Sequence, residues 1–274
     1  MADQRSRYLR IQAELGGSEL VLTKKVEESR KETKRDDEGV GITGSEIETL
    51  VSVMPVLAPP RTRRDWRSDA PPIPGSGLNI VSEAPHFDSP VGFASLQEVA
   101  AAIHECQKCL LCRGRTNTVP GEGDPAARLM CVGEGPGETE DRTGRPFVGK
   151  AGELLTDILA AIELPREQVY IANVVKCRPP QNRKPLPEEM AACLPFLRNQ
   201  IQLVRPRVLL ALGATAAEGL LGVRKSLSEL RGKVHRWDGI PLIVTYHPAA
   251  LLRNPNWKKH TWDDVRIARQ LLDA

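Results

Sequence analysis

The regular alternation of short apolar runs with amphipathic stretches, from Ser95 to the C-terminus, most limits what this chain can fold into. The apolar runs have the length and β-branched composition of buried strands, and the other stretches repeat their apolar residues at helical spacing. Strands that alternate with helices form a parallel sheet covered on both faces, because the crossovers are right-handed. The sequence therefore predicts an α/β fold from six segments: SLQEVAAAIHEC, ARLMCVGEG, KAGELLTDILAAIEL, VYIANVVKC, RVLLALGATAAEGLLG and PLIVTYHPAALL.

The ligand of such a sheet lies at the carboxyl ends of its strands. Three loops are predicted at that edge: GEGPGETED at 133–141, the segment after Asn173, and YHPAALLRN at 246–254, where the last strand runs into a loop. We therefore expect the functional residues in these three loops.

Residues 1–94 differ in composition from the rest of the chain. The run KKVEESRKETKRDDE is nearly all polar, and eight of the 22 prolines fall between Pro55 and Pro90. Such a segment buries too little apolar surface to offset its ordering entropy. It is predicted to be a largely disordered extension or tether, with transient helix near Arg5 to Glu14 and Gly44 to Val53; a partner-binding segment is the alternative. Residues 95–274 are then the folded domain.

Composition and charge narrow the class of protein. A net charge of +3 with 27% charged residues is typical of a soluble, mildly basic protein, and it does not by itself imply nucleic acid. No stretch approaches the roughly 20 apolar residues that span a bilayer, so no membrane association is expected. The N-terminal residues carry charges where a secretory signal has its apolar core, which predicts a cytoplasmic location. We also expect a monomer.

Four cysteines have the chemistry of metal ligands. Cys106 and Cys109 are spaced CxxC, and fifteen residues separate Cys177 from Cys193 around a loop rich in proline and basic residues. In a reducing cytoplasm these thiols are not expected to form structural disulfides. They can hold a structural zinc or an iron–sulfur cluster, and spacing alone does not decide between them. The wide second pair differs from a tight zinc knuckle and favours a cluster.

The other two cysteines are expected to have simpler roles. Cys112 makes a second CxxC with Cys109, whereas Cys131 lies inside a buried strand and is interpreted as a small hydrophobe. His104 and Glu105 precede Cys106, a grouping that also occurs in zinc deaminases. That chemistry requires H-x-E upstream of P-C-x-x-C, and the order here does not match.

The loop GEGPGETED is not a phosphate cradle. It lacks the GxGxxG order, and no lysine follows it in the GK[ST] register. Its carboxylates would also repel a pyrophosphate, so a flat and nearly neutral ligand is expected. Phe147 follows among glycines and a proline, where its ring is placed to stack on a planar ligand; a core aromatic that anchors the loop is the alternative.

Asn173 and His247 point to a pyrimidine. Asn173 lies within an apolar strand, where an amide is costly unless its hydrogen-bonding groups are satisfied. Its adjacent acceptor and donor match the N3–H and O4 edge of uracil and mismatch cytosine. His247 follows the last strand at the same edge and can donate to a carbonyl oxygen. A structural histidine at a strand end is the alternative.

Basic and apolar residues in the flanking loops suggest DNA. The basic residues would meet phosphates and give salt-dependent affinity, and two leucines are placed to wedge a base step open. The alternative is a solvated basic surface with the leucines turned inward. The basic residues are Arg178, Arg183, Lys184, Arg253, Lys258 and Lys259, and the leucines are Leu251 and Leu252.

From about Cys106 to the C-terminus, these motifs resemble the family 4 uracil-DNA glycosylases, the bacterial and archaeal iron–sulfur enzymes. The resemblance covers about 170 residues, and the combination is specific. The matching stretches are CxxC followed by GRT, then GEGDPAARLMCVGEGPGETEDRTGRPFVGKAG, YIANVVKCRPPQNRKPLP and YHPAALLRNP. The resemblance implies a three-layer α/β/α fold with a central four-stranded parallel sheet. It also implies a structural [4Fe-4S] cluster on Cys106, Cys109, Cys177 and Cys193; Cys112 has no ligand counterpart in the family's pattern and is expected to be a free thiol.

The resemblance further implies a role for each residue of the pocket. Phe147 would stack on a flipped uracil and Asn173 would read its edge. His247 would stabilise charge on O2, and Glu140 would sit against C5, where a thymine methyl would clash. At the position where a related branch has a catalytic aspartate, this chain has Gly135 preceded by Glu134. Either Glu134 assists, or leaving-group stabilisation carries most of the rate.

The implied activity is a monofunctional uracil-DNA glycosylase acting on single- or double-stranded DNA. No motif places a lysine as a Schiff-base nucleophile, so an abasic site is the expected product. A related branch attaches covalently to its product through a histidine in a basic insertion; ETEDRTGRPF has neither, so turnover is expected. The alternative is a non-catalytic iron–sulfur DNA-binding protein. Either protein is compatible with a replication or repair partner that binds residues 1–94.

Overall fold

The structure is a computed structural model of the chain, and it describes residues 65–67, 69–80 and 92–274. The transient helices expected near Arg5 to Glu14 and Gly44 to Val53 lie outside these residues. The disorder and the tether or partner-binding role expected of residues 1–64 also concern a part of the chain outside them. Among the described helices, none is long and apolar enough to cross a membrane.

One mixed sheet forms the centre of the described chain. Its seven strands are β1 (Ser76–Ile80), β2 (Glu122–Gly123), β3 (Leu129–Gly133), β4 (Tyr170–Asn173), β5 (Val208–Leu212), β6 (Val234–Trp237) and β7 (Ile240–Thr245). They lie in the order β1-β6-β7-β5-β3-β4-β2. The four neighbours β7, β5, β3 and β4 run parallel, which confirms the expected four-stranded parallel sheet as the centre. The complete sheet is larger than expected, because three strands extend its edges.

The added strands have local causes. Asp238 and Gly239, with φ of 47° and 81°, form the two-residue turn that folds β6 back against β7 as an antiparallel hairpin. The Asp-Gly pair between two apolar runs is a hairpin signal that the sequence contains. At the other edge, the two-residue strand β2 pairs antiparallel with β4.

The folded part of the chain begins before Ser95, within the range that its composition assigned to the extension. Strand β1 pairs parallel with β6, and Trp66 is buried. The final helix holds this segment, because Arg266 Nη1 donates to the carbonyl of Asp69 at 2.6 Å and Gln270 Nε2 donates to that of Pro71 at 2.9 Å. An edge strand and backbone hydrogen bonds need no long apolar run, so the composition gave no sign of them.

Helices cover both faces of the sheet. The α-helices are α1 (Leu96–Glu105), α2 (Glu138–Thr143), α3 (Lys150–Ala161), α4 (Pro187–Val204), α5 (Ala214–Leu221), α6 (Leu227–Leu230), α7 (Pro248–Arg253) and α8 (Lys258–Asp273). Short 3-10 turns span Leu110–Arg113, Arg166–Gln168, Pro180–Asn182 and Pro255–Trp257. As expected, Ser95 caps α1, and its Oγ accepts from the Glu98 N–H at 3.2 Å.

Two hydrophobic cores confirm the three-layer α/β/α architecture. In β3, Met130 and Val132 pack into the core that α1, α4 and α5 share, whereas Leu129 and Cys131 pack into the core of α3 and α8. This alternation is the period-2 pattern of a strand whose two faces are both buried.

Helix α7 replaces the expected loop after β7. His247 is its N-cap and Pro248 occupies the first turn, where a missing N–H costs nothing. The helix turns Leu251 into the core, where it is fully buried, and leaves Leu252 47% exposed.

Candidate active site

A cavity of about 400 Å³ opens at the carboxyl ends of β3, β4, β5 and β7. The three loops expected at this edge all line it, and the turn after β5 is a fourth contributor. The expected site residues among its lining are Glu134, Gly135, Glu140, Phe147, Asn173, Arg183, His247 and Arg253. Arg178, Lys184, Leu251 and Leu252 are not part of this lining.

Asn173 presents an unsatisfied carbonyl oxygen in this cavity. The residue is 1% exposed, and its Oδ1 has no hydrogen-bond partner in the protein. A buried acceptor without a partner costs about 1–3 kcal/mol. The neighbouring glycine keeps the space open, because a Cβ on Gly133 would lie 2.5 Å from Phe147 Cζ and would crowd Oδ1 as well.

Phe147 both lines the cavity and packs into the core of α3 and α8; the core position agrees with the expected anchoring role, and stacking on a planar ligand stays a prediction. Its backbone is in the left-handed region, with φ of 50°. Gly152 allows this conformation, since a Cβ at that position would overlap the Phe147 carbonyl. The ring centroid lies 5.5 Å from that of His247.

Two side chains clamp the segment that carries Phe147. Arg166 donates from Nη2 to the Pro146 carbonyl at 2.6 Å and from Nη1 to the Phe147 carbonyl at 3.0 Å. On the other side, Glu140 Oε1 accepts from the N–H groups of Val148 and Gly149, at 3.0 and 2.9 Å. Glu140 therefore shapes the loop in addition to forming part of the cavity wall.

His247 is a neutral imidazole of defined tautomer. Its Nδ1 accepts from the Ala249 N–H at 3.2 Å, which leaves the ring proton on Nε2. Burial lowers the pKa of His247 to about 4; Arg253 lowers it further and Glu140 opposes the shift. The ring is thus placed to donate a hydrogen bond from Nε2 without carrying charge.

Glu134 is held by a residue that the sequence did not single out. Thr215 Oγ1, at the start of α5, donates a short hydrogen bond to Glu134 Oε2. The adjacent Gly135 packs its backbone tightly, since a Cβ there would lie 2.6 Å from Val175 Cγ2. A larger residue at position 135 requires this contact to shift, so the carboxylate at this point of the cavity belongs to Glu134.

The expected DNA-contacting residues have unequal freedom. Arg183 makes a two-fold ion pair with Glu189, at 2.7 and 2.8 Å, and Lys184 lies 2.7 Å from Glu218. Arg178 donates to Asn182 Oδ1 at 2.8 Å. Arg253 is exposed at the mouth of the cavity. The wedge expected of Leu251 is wrong because this side chain is fully buried, and only Leu252 stays exposed for that role.

A second, smaller cavity gathers the cysteines. All four expected ligands line it, and Cys112 joins them, together with Arg115 and Lys176. The six cysteines are free thiols. Burial raises the pKa of Cys193 to about 12 and also raises the pKa values of Cys109 and Cys177. Within the described ranges, no group of three or more His, Cys, Asp or Glu side chains is arranged to hold a metal ion.

Cys131 and His104 lie outside the lining of the cysteine cavity. Cys131 is fully buried in β3, and burial raises the pKa of its thiol to about 12, as for a small hydrophobe. His104 hydrogen-bonds Thr118 Oγ1 at 2.5 Å and is not part of the cysteine cavity lining.

The sequence of this chain is similar to those of known uracil-DNA glycosylases. Residues 120–266 match the family model described as the uracil DNA glycosylase superfamily. The type-4 uracil-DNA glycosylase of Thermotoga maritima is 51% identical over 181 residues, which are 65% of this chain and 94% of that protein. Its counterpart from Sulfurisphaera tokodaii is 45% identical over 186 residues, covering 65% and 84%. A type-5 uracil-DNA glycosylase of Thermus thermophilus is 39% identical over 149 residues, covering 47% and 68%.

The chain therefore belongs to the uracil DNA glycosylase superfamily and, within it, to the type-4 uracil-DNA glycosylases.

Three residues around the pocket were missed from the sequence: Thr215, Arg166 and Lys176. Thr215 follows a glycine turn at the end of β5, and that position alone was a usable signal, because every strand end of the parallel core meets the same edge. Arg166 contacts the Phe147 carbonyl nineteen residues away, and Lys176 joins the carbonyl of Asn173, three residues before it, to Gln200 on α4; nothing in their local sequence indicates these contacts.

Proposed function

We propose that this protein is a monofunctional uracil-DNA glycosylase, which takes uracil flipped out of DNA into the carboxyl-edge cavity and hydrolyses its N-glycosidic bond. The product is an abasic site, the starting point of base excision repair. The observation that carries the proposal is the unpaired Oδ1 of buried Asn173, which lies in the same cavity as Phe147 and the neutral His247.

Base recognition follows from these groups. Asn173 Oδ1 accepts from uracil N3–H and its Nδ2 donates to O4, which satisfies an acceptor that the free protein leaves unpaired. Cytosine presents the reverse pattern at the same edge and leaves both sides mismatched. Phe147 stacks on the ring, and Glu140 occupies the wall next to C5, where a thymine methyl would clash.

The bond breaks with an oxocarbenium-like sugar and an anionic uracil. His247 stabilises the anion by donating from Nε2 to O2, and a donor aimed at a developing charge is worth more in a dry cavity than in water. Glu134, oriented by Thr215, stabilises the sugar cation and positions the attacking water. No lysine lines the cavity in the part of the chain that the structure describes, which supports a monofunctional reaction without a Schiff base.

DNA is held at the mouth of this cavity. Arg253 contacts phosphate with salt-dependent affinity, and Arg178, which lies 3.8 Å from Glu138, contributes less to the basic rim. Arg183 and Lys184 contribute less, because Glu189 and Glu218 already neutralise them. Leu252 enters the space left by the flipped nucleotide.

We also propose that Cys106, Cys109, Cys177 and Cys193 hold a [4Fe-4S] cluster. The residues fit this group: the four thiols line one cavity, and Arg115 donates to Cys177 Sγ at 3.2 Å. Four cysteine thiolates are the ligand set that such a cluster takes, so these four residues would hold it. The four cysteines lie in the chain after α1, in the segment after β4 and in helix α4, so a cluster bound there would join these segments and contribute structurally.

The activity is tested with purified full-length protein and a labelled oligonucleotide that contains one uracil. Alkaline cleavage of abasic sites is then measured, with a matched thymine oligonucleotide as the control. Cleavage at the uracil position alone is expected. If cluster-loaded protein gives no cleavage, the protein is a non-catalytic DNA-binding protein instead.

The metal is tested separately. Visible absorbance of an iron–sulfur chromophore with about four irons per chain is expected. Colourless protein with stoichiometric zinc would contradict the cluster, and it would leave the glycosylase proposal untouched.

A further inference from the structure

Lys176 lies between the two cavities. It follows Asn173 by three residues and directly precedes Cys177. The side chain is 1% exposed and lines the cysteine cavity. Its Nζ donates to the backbone carbonyl of Asn173 at 2.8 Å and to Gln200 Oε1 at 2.6 Å. One ammonium group thus touches the residue that reads the base and lines the cavity of the cysteines.

The hydrogen-bond partners of this ammonium are neutral. Hydrogen bonds to a backbone carbonyl and to a side-chain amide therefore place this side chain. The groups that line the same cavity and can become anionic are the cysteine thiols. Among them, Cys193 contacts the same residue directly, because its sulfur accepts a hydrogen bond from the Lys176 backbone N–H.

Gln200 completes the connection. It lies on α4, seven residues after Cys193, so the two side chains project from the same face of the helix. Its Nε2 donates to the Pro120 carbonyl at 2.8 Å and so ties α4 to the chain before β2. Lys176 is therefore fixed on one side by α4 and fixes the Asn173 carbonyl on the other.

We propose that Lys176 is a positioning residue that couples the cysteine site to base recognition. Its side chain lies against the cysteine cavity and Gln200 on one side, and its Nζ holds the Asn173 backbone carbonyl on the other, so the arrangement of the cysteine site would set how the side-chain amide faces uracil. This inference rests on the proposed function for the identity of the base that Asn173 reads. It gives the cluster a role in the glycosylase that involves no electron transfer.

The first test is Lys176→Met, which keeps the length of the side chain and removes its charge and donors. Lys233→Met is the matched control, because Lys233 is exposed and donates only to the carbonyl of Glu229. Iron content and visible absorbance are measured first. In cluster-loaded Lys176→Met, we expect KM for the uracil oligonucleotide to rise at least about tenfold, with a smaller change in kcat and weaker discrimination against cytosine. An unchanged KM and discrimination would overturn the proposal.

The second test does not depend on that variant folding or on activity. Hydrogen exchange of the wild-type chain is compared before and after its iron is removed by a chelator. The amides of Val174 and Val175 donate to the carbonyls of Gly133 and Glu134 beside Asn173. We expect these two amides to lose protection while the strand β5 keeps its own. Equal protection with and without iron at both amides would contradict the coupling.

The two proposals fail in different ways. If wild-type protein does not release uracil, the proposed function fails, and the exchange experiment still tests the coupling. If wild-type protein releases uracil but Lys176→Met behaves as Lys233→Met does, the coupling alone fails.

Discussion

The Arg166 guanidinium donates a hydrogen bond to the backbone carbonyl of Phe147 at 3.0 Å. Among the described residues, Phe147 is the one aromatic residue of the pocket whose backbone is left-handed. The same guanidinium binds Glu122 at 2.7 Å, and Arg145 binds Glu122 from the other side at 2.8 Å. The backbone of Phe147 is thus held by a segment nineteen residues away in sequence.

Arg166→Met removes both donors to the loop. We expect kcat/KM for uracil excision to fall by about tenfold or more, because the ring of Phe147 loses its fixed position. Arg145→Met is the matched control: it removes the other arginine of Glu122, an exposed one, and touches no loop carbonyl. Equal losses in the two variants, measured by steady-state kinetics, would show that the contact with Phe147 has no special role.

Thr215 is expected to orient Glu134. Thr215→Val removes the hydroxyl and keeps the shape of the side chain, so kcat should fall by about tenfold while KM changes little. Thr215→Ser keeps the hydroxyl and should retain most of the activity. Single-turnover excision rates of both variants check this, and a valine variant as active as the serine variant would remove Thr215 from the mechanism.

His247 gives a pH signature. Because its pKa is lowered to about 4 in the folded protein, from 6.5 ordinarily, the unfolded chain binds more protons between these values. The contribution of His247 to stability is therefore full above about pH 6.5 and is lost as the pH falls towards 4. The melting temperature of the wild type should decline across this window.

His247→Gln serves as the comparison for both stability and rate. Its melting temperature should decline less over the same pH range, and its kcat should fall by about 10²–10³, the usual loss of one donor to a developing anion. Wild-type excision should stay flat from pH 6 to 8, since the imidazole is neutral throughout. If the wild-type rate instead changes with a pKa near 6.5, and this pH dependence is absent in His247→Gln, the account of His247 as a neutral donor is contradicted.

Alanine variants of Leu252 and Leu251 distinguish a side chain that wedges DNA open from one that packs in the core. Leu252→Ala should reduce excision from double-stranded DNA more than from single strands, because only the duplex must be opened, and should leave the melting temperature nearly unchanged. Leu251→Ala should instead lower stability by about 2–5 kcal/mol through loss of core packing. Comparison of the two substrates and of thermal melting checks both outcomes.

Part of the fold and of the candidate site is predictable from the sequence. The parallel centre of the sheet and the meeting of Asn173, Phe147 and His247 at one edge followed from periodicity and from the direction of parallel strands. Strand β1 was missed because an edge strand in a proline-rich segment has no apolar signature. Leu251 was misassigned because its burial depends on α7, which a short segment after a strand did not reveal.

The roles of Arg166 and Lys176 could not be predicted from the sequence for a different reason. Arg166 and Lys176 are ordinary basic residues in sequence, and their roles depend on which carbonyl each one meets in the folded chain. Such contacts are set by tertiary packing, and local composition carries no record of them.

The central claim is that Asn173 selects uracil, and Asn173→Asp tests it most directly. Burial favours the protonated acid, which offers a donor to cytosine N3 and an acceptor to its amino group. Single-turnover excision is measured on matched oligonucleotides that contain uracil or cytosine at the same position. We expect the variant to lose activity on uracil and gain activity on cytosine relative to the wild type. Unchanged preference for uracil in a folded, cluster-loaded Asn173→Asp protein would contradict the claim.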